Sequence, residues 1–521
     1  MNVALLQPAA TIDDGARGKI KPLDEIAAIV RRLQSQGHTV VLAHGTFDLL
    51  HMGHVRHLEQ ARREGSHLVV TVTGDAFVNK GPGRPVFNSM LRAEMLAALQ
   101  YVDWVAVNEA LTAEPAIRKI RPNVYAKGSD YVDVAQDITG NITDERRAVE
   151  ACGGRVVFTK DITFSSSSLL NSYFDIYPPP LRKYLDAARQ SNMLPRLMQL
   201  LDSVENSKVL LIGDTIIDEY QYVAPLGKSP KENLIATLFR ERELFAGGVI
   251  AAANHAASFC GQVDVLTCLG EHESHEQLVR ESLKPNVKLH AIARPGFPTT
   301  RKCRFIEHDY MRKLFEVYVM NDTMLDGTLE SSLVQQIGDC AAEYDVVIVT
   351  DFGHGLISPG VINAVTDTAR FLAVNAQSNS ANQGFNLITK YHKADYICID
   401  APEARLAMSD KFSELGAIAS DLLQQVDCDR MILTHGRHGC AAYDKAVGVH
   451  YIPAFTGTVI DTVGAGDAFL AVTSPLVATG ADMEMIGFIG NAVGAMKVGI
   501  VGHRKSIEKV PLVKYLQALL K

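Results

Sequence analysis

TVVLAHGTFDLLHMGHVRHLEQARREG, residues Thr39 to Gly65, decides how the amino-terminal half is read. Its first five residues are a short β-branched run with the composition of a buried strand. HVRHLEQARREG reads as a helix. Between them lies a turn rich in glycine and histidine. A strand end, a small-residue turn and a helix start together make an anion site, because free backbone N–H groups and the helix dipole both favour negative charge there. His51 and His54 lie one helical turn apart, so both rings can face one phosphate from the same side. Their N–H donors can follow the charge that builds on an α-phosphate as pyrophosphate leaves. Gly45 and Gly53 let the backbone approach closely.

The pattern continues outward. A helix, LDEIAAIVRRLQSQG, precedes this stretch, and the strands HLVVTVT, WVAVN, NVYAKG and RVVFT follow with the helix SMLRAEMLAALQ among them. Strand, helix, strand at short spacing predicts parallel pairing in a doubly wound sheet, with ligands at the carboxyl ends of the strands. The pattern breaks at DIYPPPLRKYL, because three consecutive prolines continue neither a helix nor a central strand. One or two helices follow in RKYLDAARQSNMLPRLMQLLDS. A second α/β run begins at KVLLIGD, Lys208 to Asp214, with buried-strand candidates VDVLTCLG, DVVIVTDFG, FLAVNA, YICID and RMILTHG.

The amino-terminal motif resembles the HxGH signature of the nucleotidylyltransferase superfamily. Lys80-Gly-Pro-Gly-Arg84-Pro-Val86 is similar to that family's mobile basic loop, and Arg92 and Lys127-Gly-Ser-Asp-Tyr131 also match its pattern. Phe164-Ser-Ser-Ser-Ser-Leu169 is similar to its phosphate-holding serine element. The resemblance implies His51, His54 and Lys80 as catalytic residues. It implies Gly45, Thr46, Phe47, Gly53, Arg84, Arg92, Lys127, Ser166 and Ser167 as nucleotide-binding residues. The chemistry would be in-line attack by a substrate phosphate on the α-phosphorus. That phosphate is already anionic, so no general base is required.

A second anion turn is DTVGAGDAF, Asp461 to Phe469, running into the apolar helical stretch FLAVTSPLVA. Gly464, Ala465 and Gly466 would open that helix with unpaired N–H groups, an anion hole for a transferring γ-phosphoryl group. Asp467 in the first turn can take a proton from a substrate hydroxyl. The arrangement resembles the ribokinase/PfkB sugar kinase family, whose signature ends in the catalytic aspartate. Asp214 and Asp218, Gly247 and Gly248 with Asn254, and Thr434, Gly436 and Gly439 resemble its sugar-contacting and nucleotide-loop residues. Glu403 resembles the glutamate that organises magnesium. Arg301, Lys302 and Arg304 either reach a substrate phosphate or form a solvated strand face.

The two resemblances together are similar to the bifunctional heptose-phosphate kinase/heptose-1-phosphate adenylyltransferases, with the domain order reversed. Asp400 replaces the asparagine expected before Glu403, and Asn375 to Asn379 replaces a DPK-like segment, which leaves the sugar open. The expected fold class is α/β with two doubly wound domains, a Rossmann-like nucleotidylyltransferase fold and then a ribokinase-like fold. The expected bounds are residues 1–175, a helical linker at 176–204, and 205–521. The resemblance implies ATP and Mg2+, with CTP an alternative at the amino-terminal site. It also implies a sugar phosphate as substrate and a homodimer through the kinase domain.

At 521 residues the chain is too long for one ordinary core. Its net charge of −8 argues against a dedicated nucleic-acid binder. MNVALLQPAATIDDG lacks a basic start and a long apolar core, no stretch is long enough to span a bilayer, and the eight cysteines form no paired framework; a cytoplasmic protein is expected. Two other readings stay open. One is a cytidylyltransferase for a polyol or alcohol phosphate fused to its kinase. In the other, one module has lost its chemistry and serves in sensing or assembly.

Overall fold

The computed structural model describes residues 15–78, 84–128, 141–159 and 177–521. Lys80, Ser166 and Ser167 lie outside the described residues. The chain divides into two compact units. The first reaches to Pro178 and takes in Val513–Leu519, and the second spans Pro179–Leu512.

In the first unit, strands β1 (Val40–Gly45), β2 (His67–Thr73), β3 (Trp104–Asn108), β4 (Val124–Gly128) and β5 (Arg155–Thr159) form one parallel sheet in the order β3-β2-β1-β4-β5. Side chains alternate across a strand, so β1 feeds two cores. Val41 and Ala43 pack with Leu58, Ala93 and Leu96 on one face. Val40 and Leu42 pack with Ile26, Val30 and Ile117 on the other. Helices on both faces make the sheet doubly wound, and β1 ends centrally at the His44–His54 stretch.

In the second unit the helices Pro179–Gln190 and Met193–Ser203 come first. The segment expected as a helical linker forms these two helices and is packed: Leu197 and Leu201 are buried, and Tyr184 stacks on Phe488 at 6.1 Å between ring centroids. The main sheet has nine strands in the order β10-β9-β6-β13-β14-β15-β16-β17-β18. These are β6 (Lys208–Gly213), β9 (Gln262–His272), β10 (Val287–Pro298), β13 (Val346–Asp351), β14 (Leu372–Ala376), β15 (Tyr396–Asp400), β16 (Arg430–Thr434), β17 (Cys440–Asp444) and β18 (Gly448–Ile452). It is parallel up to β16 and antiparallel for the last two.

Four further strands make a separate sheet that the strand-by-strand reading does not anticipate. They are β7 (Thr215–Lys228), β8 (Ile235–Gly248), β11 (Thr300–Glu307) and β12 (Arg312–Val319), in the order β12-β11-β7-β8. β7 leaves β6 after the single residue Asp214, so this sheet starts at the carboxyl end of the main one.

Candidate functional sites

In the first unit His51 caps the helix Met52–Arg63. Its Nδ1 accepts from the Gly53 N–H at 3.2 Å, and the Nδ1 of His54 accepts from the His51 N–H at 3.4 Å. The two rings stack at 3.9 Å. An imidazole nitrogen that accepts leaves its proton on the other nitrogen. Both rings are thereby fixed as Nε2–H donors, and burial lowers the pKa of His51, so it donates as a neutral ring. His51 Nε2 is buried without a partner among the described residues. The Gly53 amide is committed to this cap, so it serves the ring and not a ligand directly.

Gly45 is a glycine because a Cβ there would come within 3.1 Å of the Phe47 ring. Phe47 corrects an expectation. It adopts a left-handed φ of 49°, its ring joins the core, and the ring centroid lies 5.1 Å from that of His54, so its side chain packs the turn instead of projecting toward a ligand. Arg92 is a second correction. It is fully buried and donates to the carbonyls of Thr46, Thr73 and Phe87 and to the Asp75 carboxylate. It fixes the Thr46 turn from beneath. Lys127 is a third: its ammonium is buried against Glu145 at 2.5 Å and the Tyr125 hydroxyl at 3.3 Å. Burial makes charge pairing the cheaper state for both arginine and lysine. Arg84 differs from them. Its Nε is paired with Asp48, while both terminal nitrogens lack partners among the described residues.

In the second unit the helix Ala465–Ala478 begins at Gly464, which is left-handed at φ 74°. The amides of Gly464, Gly466 and Asp467 have no acceptor among the described residues. That of Ala465 does: it closes a turn onto the Thr462 carbonyl at 3.2 Å, which corrects the expectation that it is a free donor. Nothing stands within 4 Å of where a Gly466 Cβ would be, so the mouth of the turn is open. Asp467 is half-buried and makes no hydrogen bond to the described residues. Burial pushes its carboxyl up to about 6. A base poised there is ionised at neutral pH yet accepts a proton readily.

Asp218 faces this turn from β7. Arg304 pairs with one of its oxygens, and His503 Nε2 lies 3.2 Å from the other. Burial opposes the charge of Asp218, but the His503 hydrogen bond and the Arg304 charge outweigh it and hold the carboxyl well below the usual range. Gly247 and Gly464 both make room for this group. A Cβ on Gly247 would run into Asp218, and one on Gly464 would run into the His503 ring. His503 is one of the residues the sequence reading missed, since Gly502-His503-Arg504 carries no motif.

Asp214, at the end of β6, is buried beside Asp351 and accepts the His354 N–H at 3.3 Å; burial and that neighbour push it up to about 6. Lys302 is also buried. Its ammonium sits 5.4 Å from the Tyr318 ring centre and makes no hydrogen bond to the described residues. The charge of Lys302 acts on His354, whose two ring nitrogens are buried and unpartnered among the described residues. The expectation of a solvated strand face for Arg301, Lys302 and Arg304 is thus set aside for the last two. Asn254 does not join the group. Its amide bonds the Ser282 carbonyl and the Lys284 N–H, closing a loop elsewhere on the helix Val249–Ala256.

Thr434, Gly436 and Gly439 form the turn from β16 to β17. Gly439, at φ 91°, has no room for a Cβ beside the Ile452 carbonyl, whereas Gly436 is exposed and open. Glu403 caps its own helix: its oxygens accept from the N–H groups of Ser378 at 3.0 Å and Asp400 at 2.8 Å. Burial pushes Glu403 up to about 7 and Asp400 up to about 6. Two adjacent carboxylates short of compensating charge fit a divalent ion held mainly by water and phosphates. Among the described residues no three His, Cys, Asp or Glu side chains converge, and such an ion needs no all-protein cage.

Residues 206–510 match the family described as pfkB family carbohydrate kinase, and residues 42–171 match the family described as Cytidylyltransferase-like. The chain is similar to "Bifunctional protein HldE" of Nitrobacter hamburgensis, 27% identical over 304 residues, which is 56% of this chain and 60% of that protein. It is also similar to the protein of that name from Azotobacter vinelandii, 39% identical over 133 residues, 25% of this chain and 28% of that one. The chain thus spans about three fifths of the first of these relatives. Among solved structures it resembles Arabidopsis thaliana ribokinase complexed with ribose and ATP, at 16% identity and a TM-score of 0.45 over 61% of this chain and 99% of that one. It likewise resembles the tetrameric inhibited form of phosphofructokinase-2 from Escherichia coli, at 14% identity and a TM-score of 0.49 over 60% of this chain and 100% of that one. With the first match covering more than half of its residues, the protein belongs to the pfkB family of carbohydrate kinases and carries a cytidylyltransferase-like region ahead of its kinase part.

Proposed function

We propose that the chain is a bifunctional transferase of nucleotide-sugar synthesis. The second unit moves the γ-phosphoryl group of ATP to the anomeric hydroxyl of a sugar phosphate, of the heptose 7-phosphate kind. The first joins a nucleotidyl group to a sugar 1-phosphate and releases pyrophosphate.

The observation that carries this reading is the presence of two anion turns of different design in one chain. At the second, Asp467 takes the hydroxyl proton as the sugar oxygen attacks the γ-phosphorus, and the bond to ADP breaks. The Gly464 and Gly466 amides are free to hold the equatorial charge. Mg2+ near Glu403 and Asp400 would neutralise phosphate charge when bound. Lys302 and His354 support a phosphorylated sugar: Lys302 is a buried residue whose ammonium makes no hydrogen bond to the described residues, both His354 ring nitrogens are buried without partners among them, and a substrate phosphate would satisfy each.

At the first, a sugar phosphate oxygen attacks the α-phosphorus while the Nε2–H donors of His51 and His54 hold the nucleotide phosphates. ATP is the proposed co-substrate there. We also place the protein in the cytoplasm, where its eight free cysteines stay reduced, and among the described residues no helix is long and apolar enough to cross a membrane. A homodimer through the four-stranded sheet would cover Leu226, Ile235, Leu238, Phe239, Phe315 and Val317, all exposed on its strands.

The test is mass spectrometry of heptose 7-phosphate with ATP and Mg2+, and of heptose 1-phosphate with ATP or CTP. The expected products are a sugar bisphosphate in the first mixture, and an ADP-sugar with pyrophosphate in the second. No sugar bisphosphate from any sugar phosphate offered overturns the kinase half. A third mixture offers a polyol phosphate with CTP; pyrophosphate released only there overturns the adenylyl half.

A further inference from the structure

Lys497 ends the apolar helix Met483–Lys497, and its side chain is completely buried. A lysine there is expensive, since an ammonium loses its hydration while a methionine or leucine would fill the space at no such cost. Among the described residues its hydrogen-bond acceptors are backbone carbonyls, and the Asp461, Asp467 and Asp218 carboxylates favour its charge from a distance. Nζ donates to the Val463 carbonyl and the Gly502 carbonyl, each at 2.7 Å. These carbonyls belong to the two loops that flank the phosphoryl turn.

Asp461 ties the same loops from the other side. It accepts the N–H of Val463 at 3.2 Å and of Gly502 at 2.8 Å, along with the Lys313 ammonium at 2.9 Å and the Tyr220 hydroxyl at 2.5 Å. The Val463 carbonyl shares its peptide unit with the Gly464 N–H, one of the amides left free at the turn. A cation on that oxygen draws charge through the peptide and strengthens the N–H as a donor.

We infer that Lys497 is a tethered monovalent cation. It braces the phosphoryl turn from behind and polarises the Val463–Gly464 peptide toward the transferring phosphoryl group. It touches no reacting atom, so it is a positioning residue, and the inference rests on the kinase reading above. Its charge stands behind the peptide whose N–H receives the developing negative charge, inside the protein where screening is weak. With its own ammonium in that place, the enzyme needs no potassium or ammonium from solution.

The test measures sugar phosphorylation in the full chain with tetramethylammonium as the only added monovalent cation, and then with potassium or ammonium. Wild type is expected to respond less than twofold to either ion. Lys497→Met should lose about 10²–10³ in kcat, the cost of one donor to a developing anion, with KM for ATP within threefold. Lys497→Ala leaves room for an ion, and potassium or ammonium should restore its kcat at least tenfold. Cooperative urea unfolding followed by far-UV circular dichroism reports that the second unit of each variant is folded, and nucleotidyl transfer by the first unit should be unchanged.

The inference is overturned if wild type requires potassium, if Lys497→Met keeps kcat within threefold, or if Lys497→Ala is folded, slow and unrescued. The wild-type ion response decides the matter even where a variant fails to fold. If wild type phosphorylates no sugar phosphate, the kinase reading itself has failed, and that outcome is distinct from the other three.

Discussion

Replacing Asp467 by asparagine should destroy phosphorylation and stabilise the protein. Burial raises this carboxyl from 3.8 to about 6. A rise of about 2 units is worth about 3 kcal/mol at roughly 1.4 kcal/mol per unit. Because folding raises the pKa, the folded state holds the proton more tightly than the unfolded chain does. That contribution to stability is full below about pH 4 and is lost as pH rises through about 6. At pH 7.5 the wild-type protein therefore carries a half-buried, partly desolvated carboxylate that the Asp467→Asn variant lacks. The assay is urea unfolding of the ligand-free proteins between pH 4 and pH 7.5, paired with ADP release during sugar phosphorylation. The stability gap between variant and wild type should widen by about 2.5 kcal/mol across that range in favour of the variant, since a small part of it is already present at pH 4. Activity should fall about 10²–10⁴-fold, the usual share of a general base. The wild-type rate should itself decline below about pH 6, where the base becomes protonated. A gap that stays flat with pH, or a variant within tenfold of wild-type activity, would refute both the burial argument and the role as base.

Other perturbations separate the two units. His51→Asn should cut pyrophosphate release about 10²–10³-fold while leaving sugar phosphorylation untouched, as coupled assays on one preparation would show. Gly464→Ala places a Cβ against His503 at a left-handed φ of 74°, so phosphorylation should fall at least about tenfold while pyrophosphate release continues. Arg92→Met removes donors from three carbonyls in the first unit and should destabilise it by about 3 kcal/mol. Trp104, the single tryptophan, lies on β3 and reports that unit's unfolding by fluorescence. Glu403→Gln should raise the Mg2+ concentration for half-maximal phosphorylation several-fold, read from a metal titration at fixed ATP.

What the sequence by itself determined is whatever depends on neighbours along the chain. The apolar runs at β1 and β6, the glycines that open the two turns, His51 with His54, and Asp467 in a first helical turn all act within a few residues, where strand, turn and helix geometry is set locally. Three polar residues outside those turns, Arg92, Lys127 and Asn254, were assigned to ligands for one reason. Arg92 and Lys127 look like phosphate binders in a list of residues, but burial turned them onto carbonyls and Glu145, and Asn254 was spent on a loop. Only the tertiary structure decided the four-stranded sheet, whose parallel pair sets Arg304 beside Asp218 across 86 residues of chain. It alone brought His503 to Asp218 across 285 residues and seated Lys497 behind Val463. Those contacts follow from how separate strands, helices and loops come together in the fold. A side chain's partner at such separation is fixed by packing, and packing leaves no mark in the spacing of letters.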